Sequence, residues 1–175
     1  LTFGSGQSVS EETAQPVVVS INPIVKIETS MGDFEIELYQ NDAPKTTSNF
    51  IKLANNGFYN NLTFHRVVKG FVIQGGDPNG DGTGGPGYSF EDELNPNAKS
   101  YQDGYKKGTV AMANSGPNTN GSQWFVALED LLQLPKAYTI FGKVIKGMEA
   151  VEKIGLVEVD VKNKPLAPVI IKKVS

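Results

Sequence analysis

From Val17 onward, apolar and polar residues alternate with a period of two, and IVKIET and DFEIELY flank Ser30, Met31 and Gly32, a pattern that predicts a β-hairpin. The period then changes. Asp42 is placed to cap a helix whose early Pro44 needs no amide hydrogen, and Thr47, Phe50, Ile51 and Ala54 fall on one face before Gly57 ends it. That helix is predicted to cover a sheet. Further strands are predicted at LTFHRVV, FVIQ, TVAMA, WFVAL and TIFGKV, followed by a helix over Lys146 to Ile154 closed by Gly155 and a last strand, PVIIKKV. Many short strands with two helices far apart in sequence predict a mainly β fold, an antiparallel barrel with helical caps. No internal repeat interrupts it.

Composition narrows the function classes. A chain of 175 residues is long enough for one well-cored domain and short for two. With 16 basic and 19 acidic side chains and no basic block, a nucleic-acid partner is not expected. The absence of cysteine excludes disulfides and thiol chemistry but leaves the redox compartment open. No apolar run is long enough to span a membrane as a helix. Residues 1–16 are small, polar and aperiodic, and read as a tail or linker ahead of a domain over 17–175. Because the chain begins without methionine, an upstream signal or anchor is expected to have been removed, and export to the cell envelope is favoured over the cytoplasm.

Two segments carry the candidate chemistry. FHRVVKGFVIQGGDPNGDGTGG, from Phe64 to Gly85, has one arginine among apolar strand residues. AMANSGPNTNGSQWF, from Ala111 to Phe125, supplies amides, a glutamine and aromatics, with no obvious nucleophile or metal ligand. Other motifs in these segments lack the mechanics they would need. Gly80, Gly82 and Gly85 satisfy G-x-G-x-x-G, but no phosphate-facing helix follows. Asp77, Asn79, Asp81 and Gly82 mimic half a calcium loop whose twelfth position is Tyr88 instead of a bidentate glutamate. His65 is the only histidine, so zinc catalysis is not expected, and it reads as a structural hydrogen-bonding residue. Ser115 and Ser122 lack a histidine base at triad spacing. Glu91, Asp92 and Glu93 read as a solvated or loop-fixing cluster. Neither a metal nor a cofactor is expected.

Together the two segments resemble the cyclophilins, the peptidyl-prolyl cis/trans isomerases, and the resemblance covers roughly Ile24 to Val174. Rotation about a peptide C–N bond faces a barrier of roughly 18–20 kcal/mol set by amide resonance. Before proline both isomers are populated, and they exchange slowly. A catalyst for this step breaks no bond. It needs an apolar pocket for the pyrrolidine ring, a fixed donor near the imide nitrogen, and partners that hold the flanking peptide. A lone strand arginine would ordinarily read as a surface ion-pair partner. The resemblance instead assigns the donor role to Arg66, and to Gln74, eight residues on, a hydrogen bond to the substrate carbonyl that also orients the arginine. It puts Phe71, Phe125 and Leu134 in the proline pocket, Ala113, Asn114 and Ser115 alongside bound peptide, Gln123 in the groove, and Gly82 under the residues preceding proline.

The resemblance also implies an eight-stranded closed barrel with its groove on the outer face. Three positions depart from the best-known members. Val72 stands where many have methionine, and Tyr138 where eukaryotic members commonly have histidine. Gln133 occupies the position of a tryptophan in cyclosporin-sensitive members, so cyclosporin binding is expected to be weak. The lone Trp124 is expected on the opposite strand face from Phe125. Residues 94–108 form a longer loop than in compact members, bordering the pocket that reads residues upstream of proline. The implied activity is isomerisation of Xaa-Pro bonds in aid of protein folding, by a monomer whose partners are proline-containing polypeptides. The alternative left open is a non-catalytic proline-peptide binding module or holdase chaperone.

Overall fold

The computed structural model describes Ala14 and residues 21–175. Apart from Ala14, the expected tail over 1–16 and the start of the first strand at Val17 lie outside the described residues. The first hairpin forms as its alternation predicts, β1 (Ile24–Thr29) pairing antiparallel with β2 (Gly32–Leu38). Its turn is tied by Thr29, whose hydroxyl donates to the Gly32 carbonyl and accepts the Met31 N–H at 3.0 Å. Gly32 takes φ +115°, which a side chain would resist.

Helix α1 (Pro44–Asn55) follows, with Pro44 in its first turn. Thr47, Phe50 and Ala54 face inward as expected, with Thr46 and Leu53, whereas Ile51 is only half-buried. Asp42 does not cap this helix. Its carboxylate accepts the Ser100 N–H at 3.1 Å, while the free amides of α1 reach a remote residue. The two oxygens of Glu93 accept the Lys45 and Thr46 N–H groups, each at 2.9 Å.

The remaining strands are β3 (Leu62–Thr63), β4 (Arg66–Val68), β5 (Val72–Gly75), β6 (Thr109–Met112), β7 (Trp124–Ala127), β8 (Ile140–Lys146) and β9 (Ile170–Val174). Two short helices accompany them. One is α2 (Lys99–Asp103), inside the segment expected to be loop; the other is α3 (Met148–Ile154), near its predicted place. The antiparallel sheet runs β3-β9-β1-β2-β8-β6-β7-β5-β4. Among the described residues there are therefore nine ladder strands where eight were expected, and three helices where two were expected. The difference in strands has a local cause: LTFHRVV is not one strand but two, parted by Phe64 and His65. Since β3 and β4 sit at opposite ends of the pairing order yet are joined by two residues, the sheet must curl until its ends meet. Counting the two pieces as one recovers the eight-stranded ring.

Curling gives the sheet an inside and an outside. Val67, Ile73, Val126 and Val110 oppose one another across four strands and point into the main core. Trp124 lies fully buried there, edge-on to Phe50 at 5.7 Å and to Phe64 at 5.6 Å. The alternate residues Val72, Ala111, Phe125 and Ile140, joined by Tyr105 from the segment before β6, form a second apolar cluster on the outer face. The candidate site is built on this outer cluster.

Candidate active site

Directly opposed residues of an antiparallel ladder share a face. Arg66 opposes Gln74, Gln74 opposes Phe125, Phe125 opposes Ala111, and Ala111 opposes Ile140. One row across five strands thus carries the cation, an amide and the aromatic wall on the same outer surface. Phe125 is 5% exposed and Val72 2%, so the floor is dry, while Arg66, Phe71 and Gln74 stand half-buried at its edge. The Arg66 guanidinium carbon lies 6.0 Å from the Phe71 ring centroid. Leu134 and Tyr138, from the connection between β7 and β8, close the far side, with the Tyr138 ring edge-on to Phe125 at 5.7 Å and 82°. Trp124 faces the other way, as strand alternation predicts.

Arg66 is held without being neutralised. Its Nη1 donates to Gln74 Oε1 at 3.2 Å, and Gln74 Nε2 donates to Gln123 Oε1 at 3.1 Å. Gln123 Nε2 in turn donates to the carbonyls of Gly82 at 3.0 Å and Gly84 at 2.9 Å. Among the described residues no carboxylate forms a salt bridge with Arg66. Four of the guanidinium's five N–H donors remain for a ligand.

Beside this relay opens a cleft of about 270 Å³, lined among others by Gln74, Gly82, Ala113, Asn114, Ser115 and Gln123. The Asn114 side chain is fixed, its Nδ2 donating to Ala137 O and its Oδ1 accepting the Gly116 N–H. The Ala113 N–H goes to the Gln123 carbonyl, whereas the Asn114 main chain has no main-chain partner among the described residues. That leaves a short free edge to which an extended peptide can add.

Asp77 shapes the opposite rim. Its carboxylate accepts the N–H groups of Asn79, Asp81 and Gly82, at 2.8, 3.1 and 2.6 Å. The loop that looked like half a calcium site is therefore wound around its own carboxylate. Gly82 takes φ +93°, and a Cβ on Gly84 would fall on Asp77 Oδ1 and the Asn79 amide. Ser122 Oγ is buried and donates to Gly76 O, so it is no nucleophile. Among the described residues no group of three or more His, Asp or Glu is placed to hold a metal ion.

Two residues differ from their sequence reading. His65 is 6% exposed, but neither ring nitrogen has a hydrogen-bond partner, so it is not the hydrogen-bonding residue expected. Burial pushes its pKa below the ordinary histidine value. Tyr105 went unrecognised because it stands in the segment read as loop; it packs behind the pocket, 6.4 Å from both Phe125 and Tyr138. One of two tyrosines, with Tyr101, in a mostly polar stretch, it had no signal that set it apart.

The family model for cyclophilin type peptidyl-prolyl cis-trans isomerases/CLD matches residues 24–175. The peptidyl-prolyl cis-trans isomerase CYP18-2 of Arabidopsis thaliana is 46% identical over 147 residues, 82% of this chain and 87% of that protein. Peptidyl-prolyl cis-trans isomerase-like 1 of Mus musculus is 46% identical over 169 residues, 95% of this chain and 96% of that one. Among solved structures, a cyclophilin type isomerase of Cryptosporidium parvum superposes with a TM-score of 0.80 at 41% identity, covering 86% of this chain and 94% of its own. The same protein in the presence of the dipeptide Ala-Pro gives a TM-score of 0.81 at 40% identity, with coverage of 87% and 97%.

Proposed function

The chain belongs to the cyclophilin-type peptidyl-prolyl cis/trans isomerases, and from that premise we propose that its outer face binds Xaa-Pro segments and turns them about the imide bond, with Arg66 as the catalytic donor. The observation that carries this reading is a guanidinium tethered to a neutral amide beside a dry aromatic floor. The pyrrolidine ring enters between Phe71, Val72, Phe125, Leu134 and Tyr138. The residues before it pass over Gly82 and run alongside Ala113, Asn114 and Ser115, pairing with the main chain of Asn114, since the Ala113 and Ser115 N–H groups go to Gln123 and Thr119.

As the C–N bond twists, nitrogen loses conjugation and becomes an acceptor, and Arg66 donates to it. Gln74 fixes the fork's direction and holds the substrate carbonyl, and Gln123 ties both to the Gly82 loop. The donor gains most at the twisted geometry, so it acts on the barrier more than on binding. A binding module would have no use for such a donor, which disfavours the non-catalytic alternative. We further propose that the protein acts as a monomer through an isomerase domain over residues 17–175.

Exchange spectroscopy on a short Ala-Pro peptide tests the reading. Substoichiometric protein is expected to accelerate cis/trans exchange; shifted peptide resonances without acceleration would instead establish a binding module. Cyclosporin is expected to bind weakly, because Gln133 is exposed and carries no indole, while Trp124 is locked in the inner core. Inhibition at nanomolar cyclosporin would contradict that expectation.

A further inference from the structure

Resting on that reading, we propose that Tyr105 is a positioning residue of the proline pocket, clamping the 131–138 connection so that Leu134 and Tyr138 stay in place against Phe125. No strand or helix spans 131–138, so the pocket's far wall has no ladder of its own to hold it. Tyr105 supplies one. Its hydroxyl donates to the Tyr138 carbonyl at 2.8 Å and accepts the Tyr138 N–H at 3.0 Å, which uses one donor and one lone pair of the same oxygen. Its own carbonyl accepts the Leu131 N–H at 2.8 Å. The connection is thus fixed at both ends by a single residue. Burial raises the phenol pKa to about 12, so the hydroxyl keeps its proton and its donor role through neutral pH.

The rest of the 94–108 segment points the same way. Lys136 Nζ donates to the Tyr101 carbonyl at 2.6 Å and lies 4.4 Å from the Tyr101 ring centroid. From the groove side, Asn114 Nδ2 holds the Ala137 carbonyl at 2.9 Å. The connection is gripped between the longer segment on one side and the peptide-binding edge on the other. Tyr105 is 5% exposed and lies beneath Phe125 and Tyr138, so it acts through the wall it supports. A loosened wall weakens the grip on the proline ring in planar and twisted forms alike, which raises KM more than it lowers kcat.

The test compares parent, Tyr105→Phe and Ile27→Val by NMR titration with an Ala-Pro peptide and by catalysed exchange at several peptide concentrations. Tyr105→Phe keeps the ring and removes only the paired hydrogen bonds; Ile27→Val thins the inner core, far from the groove. The expected result is a peptide affinity weakened roughly three- to tenfold in Tyr105→Phe, with kcat within about twofold of the parent, and an unchanged affinity in Ile27→Val. Unchanged affinity in Tyr105→Phe, a loss confined to kcat, or an equal weakening in Ile27→Val would overturn the proposal. If the parent binds peptide without accelerating exchange, the isomerase reading fails, while the affinity comparison still decides the role of Tyr105.

Discussion

A guanidinium tied to a carboxylate spends its charge on its partner, whereas one tied to an amide keeps it. Arg66 is of the second kind, and its bond to Gln74 is the one the family resemblance implies; the register of β4 on β5 sets the two residues opposite each other. The next link, Gln74 to Gln123, joins residues 49 apart and depends on which strand neighbours β5, which local pattern does not encode. His65 was misread for a related reason: a strand pattern says that a side chain points inward, not whether a partner waits there. Its surroundings include Asp77 and Asp81, which favour the charged ring, and Arg66 and Lys164, which oppose it, but burial dominates and lowers the folded pKa. The unfolded chain therefore takes up the proton first as pH falls. Stability should be full above the unfolded value of about 6.5 and decline below it as pH drops toward the folded pKa. His65→Leu should flatten the fall in Tm between about pH 7.5 and pH 5 relative to the parent; an identical fall in both proteins would show that His65 does not set it.

At the scale of elements, α1 shows what a local reading reaches. Its extent, its proline and most of its buried face were legible, since they follow from spacing within a dozen residues. Its cap was not, because Glu93 arrives from 48 residues away. Glu93 also accepts the Thr46 hydroxyl at 2.8 Å, so one carboxylate satisfies three donors at a helix end that favours negative charge. Glu93→Ala should cost about 1–2 kcal/mol in urea denaturation, and Asp42→Ala, which leaves these donors satisfied, less. Equal losses would return the capping role to Asp42. Helix α2 escaped notice because five residues show no helical period.

For the whole molecule, alternation along strands revealed which residues share a face, but not the neighbours of each strand. The position of β9 between β3 and β1 brings the end of the chain beside its first strand, a pairing that only the folded barrel dictates. β6 and β7 are buried at every position, which blurs their alternation, and the reason is architectural: core lies on one side of them and pocket on the other. The inner core makes the sheet rigid enough for its outer row, Arg66 to Ile140, to keep its spacing while a substrate twists. The role proposed for Arg66 is to act on the barrier, and it is tested most directly by exchange spectroscopy on an Ala-Pro peptide with parent and Arg66→Ala, alongside peptide affinity by titration. Turnover in Arg66→Ala is predicted to fall on the order of a hundredfold with affinity within about threefold of the parent; turnover equal to the parent's would contradict the role assigned to Arg66.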